Sequence, residues 1–259
     1  MLKGLAGKSV VVTGAAGGIG AALCRRLTEE GARVVASDVD GAGAEALAKE
    51  LGPEAVAVQA DVSTPEGAEA GVRAAVDAFG RLDLFAANAG VESLVKPVAE
   101  FDLDDYEKVF RVNVRGAFLS GQAAVRQFLA QGDGGGLLFT ASIAALMGTP
   151  GTSVYNASKH AVHGLARCLA LEVGALGIRV NTLAPGVVET RMMRALEDGL
   201  GALSGTDGES FKTTMTSSVP LGRYATPEEI AGAAAWILSD EVPYMHNEMV
   251  TVGGGIAPY

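Results

Sequence analysis

Short apolar, β-branched runs alternate with amphipathic helical stretches along nearly all of this 259-residue chain. Runs at 9–13, 33–37, 55–59, 82–86, 136–140, 178–183 and 249–252 read as strands. Helical periodicity fills 19–30, 43–51, 65–79, 104–131, 152–176 and 228–238, with Gly31 and Gly80 as stops and Pro65 and Pro227 as starts. The strands carry apolar side chains at odd and even positions alike, so both faces of the sheet must be covered. The pattern predicts an α/β fold: a single doubly wound parallel sheet between two helical layers. No boundary or repeat interrupts it, which predicts one domain over 1–259. One long irregular stretch, 187–220, is rich in Gly, Ser, Thr and Met and is expected to form a substrate lid.

A hydrophobic fraction of 49% suits a large core, and the formal net charge of −10 opposes binding to nucleic acid or an anionic membrane surface. The apolar run at 154–176 is broken by Lys159, His160, His163, Arg167 and Glu172, so it is not a membrane span. Residues 1–8 lack an apolar signal core. Cys24 and Cys168 fall in predicted helices outside any C-x-x-C pair and are expected to be buried thiols rather than a disulfide or metal site. A cytoplasmic setting follows as an expectation.

The first predicted strand runs into Thr13-Gly14-Ala15-Ala16-Gly17-Gly18-Ile19-Gly20 and then a helix. Gly14 permits a tight turn, and Gly18 and Gly20 let a pyrophosphate approach the backbone and the helix pack on the strand. The free N–H groups of the helix N-terminus face the phosphates. No Gly-Lys-Ser/Thr follows, so this is not the ATP-binding loop. Asp38 ends the second strand about 20 residues later, where an acid holds the ribose hydroxyls of NAD and repels the 2′-phosphate of NADP. Neither Ala15, Ala16 nor Val39 supplies an offsetting cation. Asp61 and Val62, after the third strand, are candidates for adenine contact. The predicted architecture is thus Rossmann-like, with NAD as cofactor.

Tyr155 and Lys159 stand four residues apart on one predicted helix face. A phenol with a pKa near 10 is a poor base at neutral pH. A nearby ammonium stabilises the phenolate, so the pair suits proton exchange with an alcohol or ketone during hydride transfer. With the glycine turn, Asn88-Ala89-Gly90, Asn113, Ser142, Tyr155-Asn156-Ala157-Ser158-Lys159, Pro185-Gly186 and Thr190, in this order, the chain resembles the classical short-chain dehydrogenase/reductase family over nearly its whole length.

The resemblance implies that Ser142 hydrogen-bonds the substrate oxygen, Tyr155 transfers the proton and Lys159 tunes Tyr155 and binds the nicotinamide ribose. Asn113 would hold a water linking Lys159 to solvent. Pro185, Gly186, Val188 and Thr190 would seat the nicotinamide, and Asn88, Ala89 and Gly90 would flank the cofactor. It also implies a homotetramer or homodimer, for which Ala157, Ala161 and Gly164 offer a small-residue face. The sequence departs from the family pattern at Ala87, at Val252-Gly253-Gly254, which lacks the usual Asp, and at Tyr244-Met245-His246-Asn247, which lacks the usual Thr-Gly turn. The latter two put the terminal turn and its subunit contacts in doubt.

His160 and His163, spaced i, i+3, have no third ligand beside them, so no metal is expected. Candidate pocket walls are Glu92, Ser93, Ala144, Leu146, Val187, Met192 and Met193, with Met215 a further lid candidate. Glu92 suits a polyol or cyclic diol, whereas the apolar walls suit a ring or chain. The expected activity is NAD-dependent interconversion of a small secondary alcohol and a ketone. An NADPH-dependent 3-oxoacyl thioester reductase and a non-catalytic NAD(H) sensor or scaffold are the alternatives.

Overall fold

The computed structural model describes residues 1–256; positions 257–259 of the expected domain lie outside it. Seven parallel strands form one sheet in the order β3-β2-β1-β4-β5-β6-β7. They are β1 (Ser9–Thr13), β2 (Arg33–Asp38), β3 (Ala55–Gln59), β4 (Leu84–Ala87), β5 (Gly135–Thr140), β6 (Ile178–Pro185) and β7 (Met249–Val252). The chain therefore runs outward from β1 to β3, returns beside β1 as β4, and runs outward again to β7. Ligand crevices in open α/β sheets lie at such a reversal, outside the carboxyl ends of the strands.

Both faces of the sheet are dry, as the doubly apolar strands require. On one face Val10, Val12, Val34 and Leu138 pack against α1 (Gly18–Glu29) and α9 (Pro227–Leu238) through Leu23, Leu27, Ile230 and Leu238. On the other, Val11, Phe85, Leu137 and Phe139 pack against α3 (Pro65–Phe79), α5 (Gly116–Gln131) and α6 (Ser153–Val173). Each fully buried aliphatic or aromatic side chain contributes roughly 1.5–3 kcal/mol. The remaining helices are α2 (Gly41–Leu51), α4 (Leu103–Phe110), α7 (Arg191–Leu203) and α8 (Gly208–Ser218).

Local chemistry sets the helix starts. Asp40 accepts from Gly43 N at 3.0 Å to cap α2, and Thr64 accepts from Gly67 N at 3.1 Å ahead of Pro65 to cap α3. A reciprocal Thr226–Glu229 box opens α9.

Three expectations change. The helix predicted over 104–131 is α4 and α5 joined by a π-helical turn at Arg111–Arg115, which carries Asn113. The stretch 187–220 is not irregular: it folds into α7 and α8, with Thr190 and Asp207 as caps. At Cys168 the thiol is exposed, because its helix face points outward, whereas Cys24 is buried in the core and burial raises its thiol pKa to about 12.

Gly20 is where α1 meets the turn, and a side chain there would collide with the Gly14 carbonyl. Gly20→Val is expected to cost about 1–3 kcal/mol from overpacking. Urea unfolding should show a lower midpoint at unchanged slope.

Candidate active site

The glycine turn sits at the sheet's reversal point. Gly14 has φ +67°, and a Cβ there would lie 2.9 Å from Ala89 Cα, so both conformation and space require glycine. Thr13 Oγ1 accepts from Asn88 N at 3.0 Å and Ala89 N at 3.1 Å, and Asn88 Nδ2 donates to Thr13 O at 3.1 Å. Asn88-Ala89-Gly90 is thereby clamped to the turn.

Among the described α-helices six carry a side-chain N-cap, whereas α1, α5 and α6 do not, and the cap of α1 is Gly17. Among the described residues the N–H groups of Gly18, Ile19 and Gly20 have no acceptor. A partly exposed helix N-terminus with free donors fits an anionic pyrophosphate.

Asp38 lies beside this turn. Its carboxylate accepts from Ala16 N at 2.8 Å and Asp40 N at 2.9 Å, and no cation pairs with it among the described residues. Ala60 N donates to Asp38 O at 2.8 Å, which brings Asp61 and Val62 to the same end of the sheet. Asp61 is exposed and accepts from Ser63 N, whereas Val62 is buried and packs on Gly116, where a Cβ would stand 2.9 Å from it. From the far side, the segment after β6 folds back onto the turn: Thr190 Cγ2 would lie 3.0 Å from a Cβ at Gly18. Pro185 and Val188 are buried, and Gly186 lies flush against Gly253.

The second group gathers at the carboxyl ends of β4 to β6. Ser142 follows β5; its Oγ accepts from Ala144 N at 3.1 Å and reaches Pro185 O at 3.5 Å. Tyr155 and Lys159 share one face of α6, with the ammonium 5.7 Å from the phenol ring centroid. Lys159, 5% exposed, donates to Thr140 O at 3.0 Å. Asn113 is locked in the π-helical turn: it donates to Val91 O at 2.9 Å and Ser158 Oγ at 3.1 Å and accepts from Val91 N at 2.8 Å. A Cβ at Gly90 would stand 3.4 Å from Lys159 Nζ and 3.3 Å from Asn113 Oδ1, so glycine there lets the two approach.

Burial sets the protonation states. It raises the Tyr155 phenol to about 12; a hydrogen bond from Ser142 offsets part of the rise, and the Glu92 charge adds to it. Burial also lowers Lys159 to about 8. The lysine is therefore mainly cationic at neutral pH, and its hydrogen bond goes to the Thr140 carbonyl.

The family model described as Enoyl-(Acyl carrier protein) reductase matches residues 14–257. The 3beta-hydroxysteroid dehydrogenase 2 of Eggerthella lenta is 36% identical over 98% of this chain and 96% of its own. The D-threitol dehydrogenase of Mycolicibacterium smegmatis is 37% identical over 97% of this chain and 93% of its own. The solved 3-ketoacyl-(acyl-carrier-protein) reductase of Brucella melitensis, complexed with NADH, superimposes with a TM-score of 0.88. It is 31% identical, and the match covers 98% of this chain and 100% of that one. The chain belongs to the classical short-chain dehydrogenase/reductase family.

As a member it is an oxidoreductase of CH–OH groups, and its free helix N-terminus fits the nicotinamide dinucleotide that the family uses. Sequence reading quoted Thr13 and Ser158 only within their motifs, with no role of their own, and did not name Thr140; they hold the turn, Asn113 and the lysine respectively. The roof of this short-chain dehydrogenase is α7. Gly199 and Gly151 abut Val95, and Gly151 also abuts Leu203, so the helix lies on the loop after β4. Met192, Met193 and Met215 are half-buried, Ala144 is buried and Leu146 exposed. His160 and His163 are engaged separately, with Asn156 O at 2.9 Å and Thr182 Oγ1 at 3.4 Å.

Lys159 is a cation held in the core. Its folded pKa lies below the ordinary 10.5, so below about pH 8 the native state bears the full cost of the buried cation. Between about 8 and 10.5 the native lysine loses its proton before the unfolded one does, and stability rises with pH. Lys159→Met should therefore melt higher than the parent at pH 7, by an increment that shrinks towards pH 10. Differential scanning fluorimetry across this range checks it.

Proposed function

We propose that this chain is an NAD-dependent dehydrogenase/reductase that interconverts a small secondary alcohol and a ketone, with Tyr155 as acid/base. The observation that carries the reading is the convergence of Ser142, Tyr155 and Lys159 at the crevice that also holds the uncapped end of α1. A bound nicotinamide supplies the hydride donor or acceptor and, when oxidised, a positive charge. Ser142 hydrogen-bonds the substrate oxygen. Tyr155, protonated in the resting protein, gives its proton to a ketone or receives one from an alcohol. The Lys159 cation makes the transient phenolate tolerable and holds the nicotinamide ribose. Asn113 positions a water that returns the proton to solvent.

In the same reading Gly14, Gly18, Ile19 and Gly20 receive the pyrophosphate and Asp38 accepts from the ribose hydroxyls. Asp61 and Val62 meet the adenine, and Asn88, Ala89 and Gly90 line the crevice. Pro185, Gly186, Val188 and Thr190 seat the carboxamide. The lone carboxylate of Asp38, with Ala15, Ala16 and Val39 around it, favours NAD over NADP. A 3-oxoacyl thioester reductase is the second reading, favoured by the Brucella melitensis neighbour, and the acidic net charge opposes docking of an acidic carrier. Purified protein with NAD and a panel of secondary alcohols should generate NADH absorbance at 340 nm. Tyr155→Phe should lower kcat by at least about a thousandfold. A preference for NADPH with 3-oxoacyl thioesters overturns the first reading in favour of the second.

Self-association in the cytoplasm completes the proposal. No helix among the described residues is long and apolar enough to cross a membrane. The exposed thiol of Cys168 suits a reducing compartment. The exposed face of α6 bears Ala157 and Gly164, and beside it an apolar groove of about 520 Å³ is lined by Tyr106, Phe110, Val114, Phe118 and Leu165. Tyr106 and Phe110 stack at 4.4 Å, and Phe118 is 48% exposed. A second copy of the chain is the occupant that suits this groove, in a homotetramer or homodimer. Light scattering should give a multiple of the chain mass, and Phe118→Glu should reduce it.

A further inference from the structure

We propose that Glu92 is a specificity-determining residue that accepts a hydrogen bond from a second hydroxyl of the substrate, selecting diols, polyols and hydroxyketones over simple alcohols and ketones. The inference rests on the alcohol/ketone reading above and names its substrate class. Glu92 lies on the loop after β4, and both sides of it are anchored. Val91 is held at N and O by Asn113, at 2.8 and 2.9 Å, and Leu94 N donates to Asp105 Oδ2 at 3.2 Å. The segment is therefore registered against the π-helical turn and roofed by α7 through Val95.

The Glu92 carboxylate is half-buried, yet among the described residues it makes no hydrogen bond and no ion pair. The cation nearest in sequence, Lys96, pairs instead with Asp102 at 3.3 Å. Next to Glu92, Ser93 is 3% exposed and its Oγ also lacks a partner. The buried Ser93 hydroxyl carries a desolvation cost that a ligand would remove, and the neighbouring Glu92 carboxylate is left free to accept from one.

Glu92 is close enough to Tyr155 for its charge to oppose ionisation of the phenol. For turnover of a simple alcohol, an unpartnered anion beside the group that must become phenolate is a handicap. A substrate hydroxyl donating to Glu92 satisfies the carboxylate and fixes which carbinol faces Tyr155. An ammonium substrate would suit Glu92 alone, but it would have to bind beside the buried Lys159 cation, whereas a hydroxyl meets no such repulsion.

The test compares trans-cyclohexane-1,2-diol with cyclohexanol, using NAD and the parent protein, Glu92→Ala and Glu92→Gln. The parent should favour the diol in kcat/KM. In Glu92→Ala the diol-to-alcohol ratio should fall about ten- to a hundredfold, the range for a hydrogen bond to a charged acceptor, with most of the loss in KM. Glu92→Gln, whose amide oxygen still accepts, should keep part of the preference. NADH binding followed by fluorescence confirms that both variants are folded. An unchanged ratio in Glu92→Ala, or a parent that prefers cyclohexanol, overturns the role of Glu92 and leaves the oxidoreductase reading standing. NADH binding with no turnover of either alcohol, or of the matching ketones, overturns both.

Discussion

The parallel pairing of β1 with β4 is the constraint on which the rest of the molecule depends. Val10, Val11 and Val12 register against Leu84, Phe85 and Ala86, and the two strand ends emerge side by side. That adjacency forces Gly14 against the Ala89 backbone and lets Thr13 receive two N–H groups from the β4 loop. The same junction carries Gly90, whose missing side chain admits Asn113 and Lys159. The glycine turn and the Asn113–Lys159 approach are thus two consequences of one strand pairing. Loosening it would disturb both together.

The second constraint is electrostatic. Lys159 and Tyr155 are pushed in opposite directions by the same burial: the lysine towards neutrality and the phenol away from ionisation. Each shift favours the uncharged form of its group. The resting site is accordingly close to one cation and one neutral acid, the state that the proposed reaction uses to protonate a ketone oxygen. The proposed oxidation of an alcohol would need the reverse, drawing on added positive charge and on removal of nearby negative charge. Among the described residues Glu92 is the group whose charge acts against ionisation of Tyr155, and the proposed hydrogen bond from a substrate hydroxyl would weaken that opposition.

The sheet and its two-sided core were legible because valine-rich strands without alternation have one physical solution. The glycine turn was legible because its backbone conformation excludes other residues. The lid was not. In α7 and α8, Gly199, Gly201 and Gly208 and a run of Ser and Thr lower helix propensity, and the helices form through tertiary contacts instead. Gly199 lies against Val95, and Gly208 against Asp198. The Thr190 and Asp207 caps were the readable signal, each with its acceptor three residues before the N–H it holds. The π-helical turn left no mark in the apolar periodicity, because one extra residue in a long helix shifts the pattern without breaking it. Cys168 was misassigned because helix membership alone does not fix which face is covered.

The terminal turn shows how a departure from the family pattern is absorbed. Where the usual Thr-Gly is missing, Asn247 takes the left-handed conformation at φ +62°, which asparagine tolerates better than most residues. Its N–H donates to Val180 O at 2.8 Å. Asn181 then bridges the turn, donating to Met245 O at 3.0 Å and accepting from Glu248 N at 3.1 Å. His246 accepts from Val180 N at 3.2 Å on Nδ1 and sits 2.9 Å from Ala170 O on Nε2. Since a carbonyl only accepts, that network requires the neutral tautomer protonated on Nε2. The β6–β7 end is therefore tied by two side chains, Asn181 and His246, where a glycine turn would leave it to backbone alone. β7 is the edge strand next to β6, and β6 delivers Pro185, Gly186 and Thr190 to the crevice. The altered turn consequently bears on the site through the strand it buttresses.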